Sequence, residues 1–149
     1  MHREPRSQTS DLVGFHHVNL SVRNCEASAT WYADLLGLAR VKEMEDDGRR
    51  GAKIILMHWP SRMLLGFTSH QANAGEPFNE VRTGLDHLAF ALADPQALDR
   101  WRERLEAHGV SYSVSSTSPL ITFRDLDNIQ LQLYVRQYPT PRGLPDQTS

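Results

Sequence analysis

Phe15-His16-His17-Val18-Asn19-Leu20-Ser21-Val22 decides how this chain is read. Val18, Leu20 and Val22 alternate with His17, Asn19 and Ser21, which is the period of a strand with one face buried. Seventy positions later the pattern returns as Leu85-Asp86-His87-Leu88-Ala89-Phe90-Ala91-Leu92. The segments behind the two copies are also alike. After the first, Asn24 reads as a helix N-cap, Ala27, Trp31, Leu35 and Leu38 recur near helical spacing, and Gly37 marks the C-terminus. After the second, Asp94-Pro95 opens a helix whose stripe is Leu98, Trp101, Leu105 and Val110, and Gly109 stops it.

Three strands are expected behind each helix, at 39–45, 53–59 and 62–68 and again at 110–115, 120–124 and 129–135. Turn residues separate them at 46–51, 60–61 and 125–128. A strand, a helix and three strands, written twice, indicate internal duplication. The expected fold class is α+β: two tandem βαβββ modules whose curved mixed sheets, covered on one side by helices, form a cleft. The modules are expected at 12–69 and 84–136, joined by a linker at 70–83. Residues 1–11 and 137–149, rich in Pro, Ser, Thr, Gln and charge, read as flexible tails.

A chain of 149 residues is long enough to hide roughly 68–70% of its unfolded surface without a disulfide or zinc staple. Cys25 is the one cysteine, which excludes an internal bridge and a cysteine-rich zinc site. Sixteen basic residues against 18 acidic ones leave a net charge of -2, and no block of like charge argues for nucleic acid as a partner. Apolar runs such as 54–57 fall far short of the roughly 18 residues a membrane span needs, and the first ten residues are too polar for a signal peptide. A cytoplasmic setting is therefore expected.

Strand alternation sorts the side chains by face. If Val18, Leu20 and Val22 pack, then His17, Asn19 and Ser21 stand on the opposite surface. If Leu88, Phe90 and Leu92 pack, His87 stands opposite with Ala89 and Ala91. With Ile129, Leu131, Leu133 and Val135 packed, Gln130, Gln132 and Tyr134 face the same way as the histidines, giving a polar wall. By the same count His16 turns to the packed side.

Three stretches carry a family resemblance: residues 16–22 around His17, Gly84-Leu85-Asp86-His87-Leu88-Ala89-Phe90, and Phe123-Arg124-Asp125-Leu126-Asp127-Asn128-Ile129-Gln130-Leu131-Gln132-Leu133. Over about 15–135 the chain resembles the vicinal oxygen chelate superfamily, which contains glyoxalase I, fosfomycin resistance proteins, extradiol dioxygenases and bleomycin resistance proteins. The resemblance implies that His17 and His87 are ligands of a divalent metal ion, Fe2+, Mn2+, Ni2+ or Zn2+. It places Gln132 where relatives carry glutamate and the fourth position near Gly66, which has no ligating side chain. An amide adds no charge, so an ion held there keeps its full +2, favours anionic bidentate substrates such as catecholates, enediolates or hydroxy acids, and is lost more easily. Leu126 and Asn128 replace the Pro and Gly of the relatives' Asp-Pro-Asp-Gly turn, and Asp125 and Asp127 read as turn-forming.

Tyr134 is the candidate acid or hydrogen-bond donor to substrate. Asn19, Trp59, Phe67 and Phe123 are candidate pocket residues, the three aromatics being equally suited to core packing. No glycine-rich phosphate loop, nucleophile elbow or helix with metal-spaced histidines is present, and Cys25 lacks a paired base. The first expectation is a divalent-metal-dependent enzyme, a ring-cleaving dioxygenase, isomerase or lyase, acting on a small substrate through two adjacent oxygens. The alternative is a metal-free, bleomycin-resistance-like protein that sequesters a small molecule, and a weaker one is a degenerate module serving as a dimerisation surface. A homodimer is implied by the resemblance.

Overall fold

In a computed structural model, which describes residues 10–137, the opening strand of each module lies parallel to the strand that closes it. The first module runs β1 (Val18–Ser21), α1 (Cys25–Leu36), β2 (Ala39–Met44), β3 (Ala52–His58) and β4 (Met63–Ser69). The second runs β5 (Leu88–Leu92), α2 (Gln96–Ala107), β6 (Tyr112–Val114), β7 (Leu120–Arg124) and β8 (Gln130–Val135). The two four-stranded sheets have the orders β1-β4-β3-β2 and β5-β8-β7-β6, so both are mixed and both leave at an edge the strand that follows His17 or His87. The expected α+β architecture of two βαβββ units is the one observed. The expected tails lie outside the described residues, apart from residues 10, 11 and 137. No described helix is long and apolar enough to cross a membrane.

Local chemistry explains the helix ends. The Asn24 Oδ1 accepts the Ala27 N–H at 3.0 Å, and Gly37, at φ 70°, lets its own N–H and that of Leu38 reach the Ala33 carbonyl. The Asp94 Oδ1 accepts the Ala97 N–H at 2.8 Å in front of α2. The buried stripe of α1 differs from the one read in the sequence. Cys25, Ser28, Ala29, Tyr32 and Leu35 are buried, whereas Ala27 is exposed and Trp31 only half-buried. The reason is Tyr32, which is fully buried against Phe67 at a ring distance of 4.7 Å and so sets the helix phase one residue later.

Helix α1 serves both sheets. Tyr32 packs on Phe67 of β4, and Trp31 lies 6.4 Å from Phe123 of β7. Leu20, Val22, Ile54, Leu56 and Leu65 join Ile121, Phe123, Leu131 and Leu133 in one continuous core. Each such side chain, fully buried, contributes on the order of 1.5–3 kcal/mol of transfer free energy.

Polar groups clasp the modules as well. The Tyr32 hydroxyl donates to Asp125 Oδ2 at 2.7 Å, while Asp125 Oδ1 accepts the N–H groups of Asp127 and Ile129 at 2.9 and 2.8 Å. Burial raises the pKa of both Tyr32 and Asp125. Asp127 Oδ1 accepts the Arg23 backbone N–H and Nε at 3.1 and 2.7 Å, and its Oδ2 accepts the Ser28 hydroxyl at 3.3 Å. Arg104 of α2 donates to the carbonyls of Leu35 and Asp34, two of the free acceptors at the end of α1. Asn128 takes the left-handed conformation at φ 67°, which asparagine tolerates where relatives use glycine.

Candidate metal and substrate site

The packed faces of both sheets meet around the helices, so the polar faces turn outward. Along β8, Leu131, Leu133 and Val135 are buried while Gln130 and Gln132 are half-buried and Tyr134 is exposed. Register then fixes the rows across the second sheet: Ala89, Gln132 and Thr122 form one, and Ala91, Tyr134 and Leu120 the next. Gln130 pairs with Arg124, and His87 immediately precedes the Leu88 that pairs with Leu131, placing Gln130 between Arg124 and the histidine. On the first sheet Asn19 pairs with Gly66 and Ser21 with Thr68.

Both candidate histidines are held at the same atom. The His87 Nδ1–H donates to Asp86 Oδ1 at 2.6 Å, and the Nδ1 atoms of His16 and His17 lie 2.8 Å apart, one donating to the other. Among the described residues neither His17 nor His87 has a hydrogen bond at Nε2. A carboxylate on one ring nitrogen fixes the tautomer that leaves the other nitrogen free to ligate, the pattern of metal-bound histidines. His16 is exposed rather than packed, because β1 begins at Val18 and strand alternation does not extend back to it. Two imidazoles and an amide oxygen suit a divalent ion. Asp86 was missed as an orienting group, although an acid directly before the histidine was its signal in the sequence.

Within the chain no described contact unites His17 with His87, and among the described residues no three His, Cys, Asp or Glu side chains gather to hold an ion. Gln132 and Tyr134 share the polar face of the second sheet, with His87 just before β5; Asn19 lies on the first sheet, with His17 just before β1. Gly66 offers no fourth ligand, and its space is taken: a Cβ there would stand 2.8 Å from Asn19 Nδ2. Thr68 secures that amide by donating its hydroxyl to Asn19 Oδ1 at 2.8 Å.

The aromatic candidates lie elsewhere. Phe67 and Phe123 are buried in the core, on the faces opposite the polar walls. Trp59 is 66% exposed in the β3–β4 turn, with the Arg62 guanidinium 3.7 Å above its ring.

The family model of the Glyoxalase/Bleomycin resistance protein/Dioxygenase superfamily matches residues 14–133. The chain belongs to this superfamily. A glyoxylase/bleomycin resistance protein/dioxygenase domain from Frankia sp. EAN1pec superposes with a TM-score of 0.76 at 29% identity, covering 85% of this chain and 99% of that one. The fosfomycin resistance protein FosX from Listeria monocytogenes, solved with manganese(II) and sulfate, shares the fold at a TM-score of 0.62 and 16% identity, covering 85% of this chain and 94% of that one. A manganese-dependent 2,3-dihydroxybiphenyl 1,2-dioxygenase from Geobacillus genomosp. 3 is 29% identical over 101 residues, 68% of this chain. The chain spans only 28% of that relative's length. Members of the superfamily act on or bind small molecules, and divalent metals recur among these relatives.

Proposed function

We propose that two copies of this chain pair to form a divalent-metal-dependent enzyme for small catechol-like substrates, with ring-cleaving dioxygenation as its chemistry, a reading supported by the likeness to a manganese-dependent 2,3-dihydroxybiphenyl 1,2-dioxygenase. The observation that carries this reading is the state of the two histidines: each has Nδ1 engaged and Nε2 without a described partner, at the same position of its module. In such a pair, His87 and Gln132 of one chain and the partner subunit's His17 would be the ligands. A bound divalent ion would supply positive charge to two adjacent substrate oxygens.

The chain's own residues supply the rest. Asp86 keeps the His87 ring oriented, and Tyr134 stands on the same face as Gln132 with its hydroxyl available to a substrate oxygen. The open edges of β1 and β5 are the surfaces through which two chains would meet.

Metal analysis of untagged protein after exposure to manganese(II) tests the proposal. Stoichiometric metal, lost in a His17→Ala, His87→Ala double variant, is the expected result. A metal-free protein that still binds aromatic compounds would overturn it in favour of sequestration, the reading that Gln132 and the filled space at Gly66 favour.

A further inference from the structure

The polar faces have a charge pattern that the metal reading does not use. In register, the outward residues of the first sheet include Lys42 and Lys53, and those of the second include Arg124. Among the described residues no outward strand position of either sheet is acidic, since Glu43 of β2 pairs with the buried Ile54 and so lies on the packed side. Carboxylates come to the second sheet from outside its strands: Asp86 is bonded to His87, and Glu80 reaches Arg124 from the linker.

Glu80 is held by both oxygens. Arg124 Nη2 donates to its Oε1 at 2.7 Å and Nη1 to its Oε2 at 3.1 Å, the fork geometry in which arginine binds any carboxylate. Two further contacts fix the guanidinium independently: Nη1 donates to the Asn128 carbonyl and Nη2 to Gln130 Oε1, both at 3.0 Å. If Glu80 left, Arg124 would stay aimed across the face and would offer the same pair of donors to another anion. The linker does not depend on Glu80 either. The Phe78 N–H donates to the Asp127 carbonyl at 2.8 Å, and the Asn128 side chain donates to the Phe78 carbonyl at 3.0 Å. The ion pair is partly open, with side-chain exposures of 37% for Arg124 and 27% for Glu80, beside a groove of about 390 Å³ edged by Pro77, Phe78 and the Arg82–Glu76 ion pair.

We infer that Arg124 is the specificity residue that binds an acidic substituent of the substrate, and that Glu80 occupies it as an internal carboxylate which substrate displaces. The inference rests on the metal-chelating reading above and narrows its substrate class to catechols bearing a carboxylate. Arg124 lies two strands across from the β5 position of His87, roughly 10 Å at ordinary strand spacing, the reach of a single-ring diol with a short acidic side chain.

Anaerobic calorimetric titration of the manganese(II)-loaded protein with catechol and with 3,4-dihydroxyphenylacetate tests it. Wild type is expected to prefer the acid. Glu80→Gln should tighten binding of the acid by about tenfold and leave catechol unchanged, since only the internal competitor is removed. Arg124→Gln should abolish the preference, and Arg124→Lys should retain part of it. An unchanged preference in Arg124→Gln, or weakened binding of both ligands in Glu80→Gln, overturns the inference. Should Arg124→Gln lose both ligands, the Glu80→Gln result decides. Failure of wild type to bind catechol sinks the metal-chelating reading instead.

Discussion

Gln132 lies between Ala89 and Thr122, neighbours small enough to accept a carboxylate of the same shape. Gln132→Glu should therefore keep the fold and, by adding a negative charge to the proposed ligand set, slow loss of metal to a chelator by on the order of tenfold. Unchanged retention would place Gln132 outside the coordination sphere. Glu80 gives a second test at this scale, because Arg124 holds its carboxyl down to about 2. A depressed pKa means that the pairing contributes fully above the ordinary glutamate range and is lost as pH falls towards 2. NMR titration should find Glu80 ionised throughout the neutral range in wild type and returned to the usual carboxylate range in Arg124→Gln. Gln132 and Tyr134 could be put on one face because alternation assigns a face to every residue of β8, whereas His17 and His87 stand just before β1 and β5 and were singled out by the family resemblance. The Glu80–Arg124 pair was not legible: it joins positions 44 apart, and one partner sits in a linker with no period to read.

At the level of elements, the turn before β8 carries more than its composition suggested. Asp125 and Asp127 read as turn formers, and the structure shows them also receiving Tyr32, Ser28 and Arg23 from the first module. Tyr32→Phe removes a side-chain donor to Asp125 Oδ2 in a buried setting and should cost about 1–3 kcal/mol, read as a lower denaturant midpoint at constant slope. Asn24→Ala should cost about 1 kcal/mol by the same measurement, through the lost cap on α1. The strands and both helices could be found from periodicity and caps. The phase of α1 could not, because Trp31 and Tyr32 are adjacent large apolar residues and only packing on Phe67 chooses between them.

For the whole molecule, the sequence implied two halves but not how they face. Tandem repeats suggest a site between modules of one chain, whereas the shared core turns the two polar walls outward. If the site forms between chains, mixing a His17→Ala variant with a His87→Ala variant should restore metal binding that neither shows alone. Random pairing makes half the dimers mixed, each with one intact site, so about a quarter of the wild-type stoichiometry is expected. No recovery after unfolding and refolding the mixture would refute shared sites. The unpaired edges of β1 and β5 then acquire a physiological meaning. On the proposed pairing a lone polypeptide would carry two incomplete centres, so dilution would silence it without unfolding it and its abundance would act as the switch.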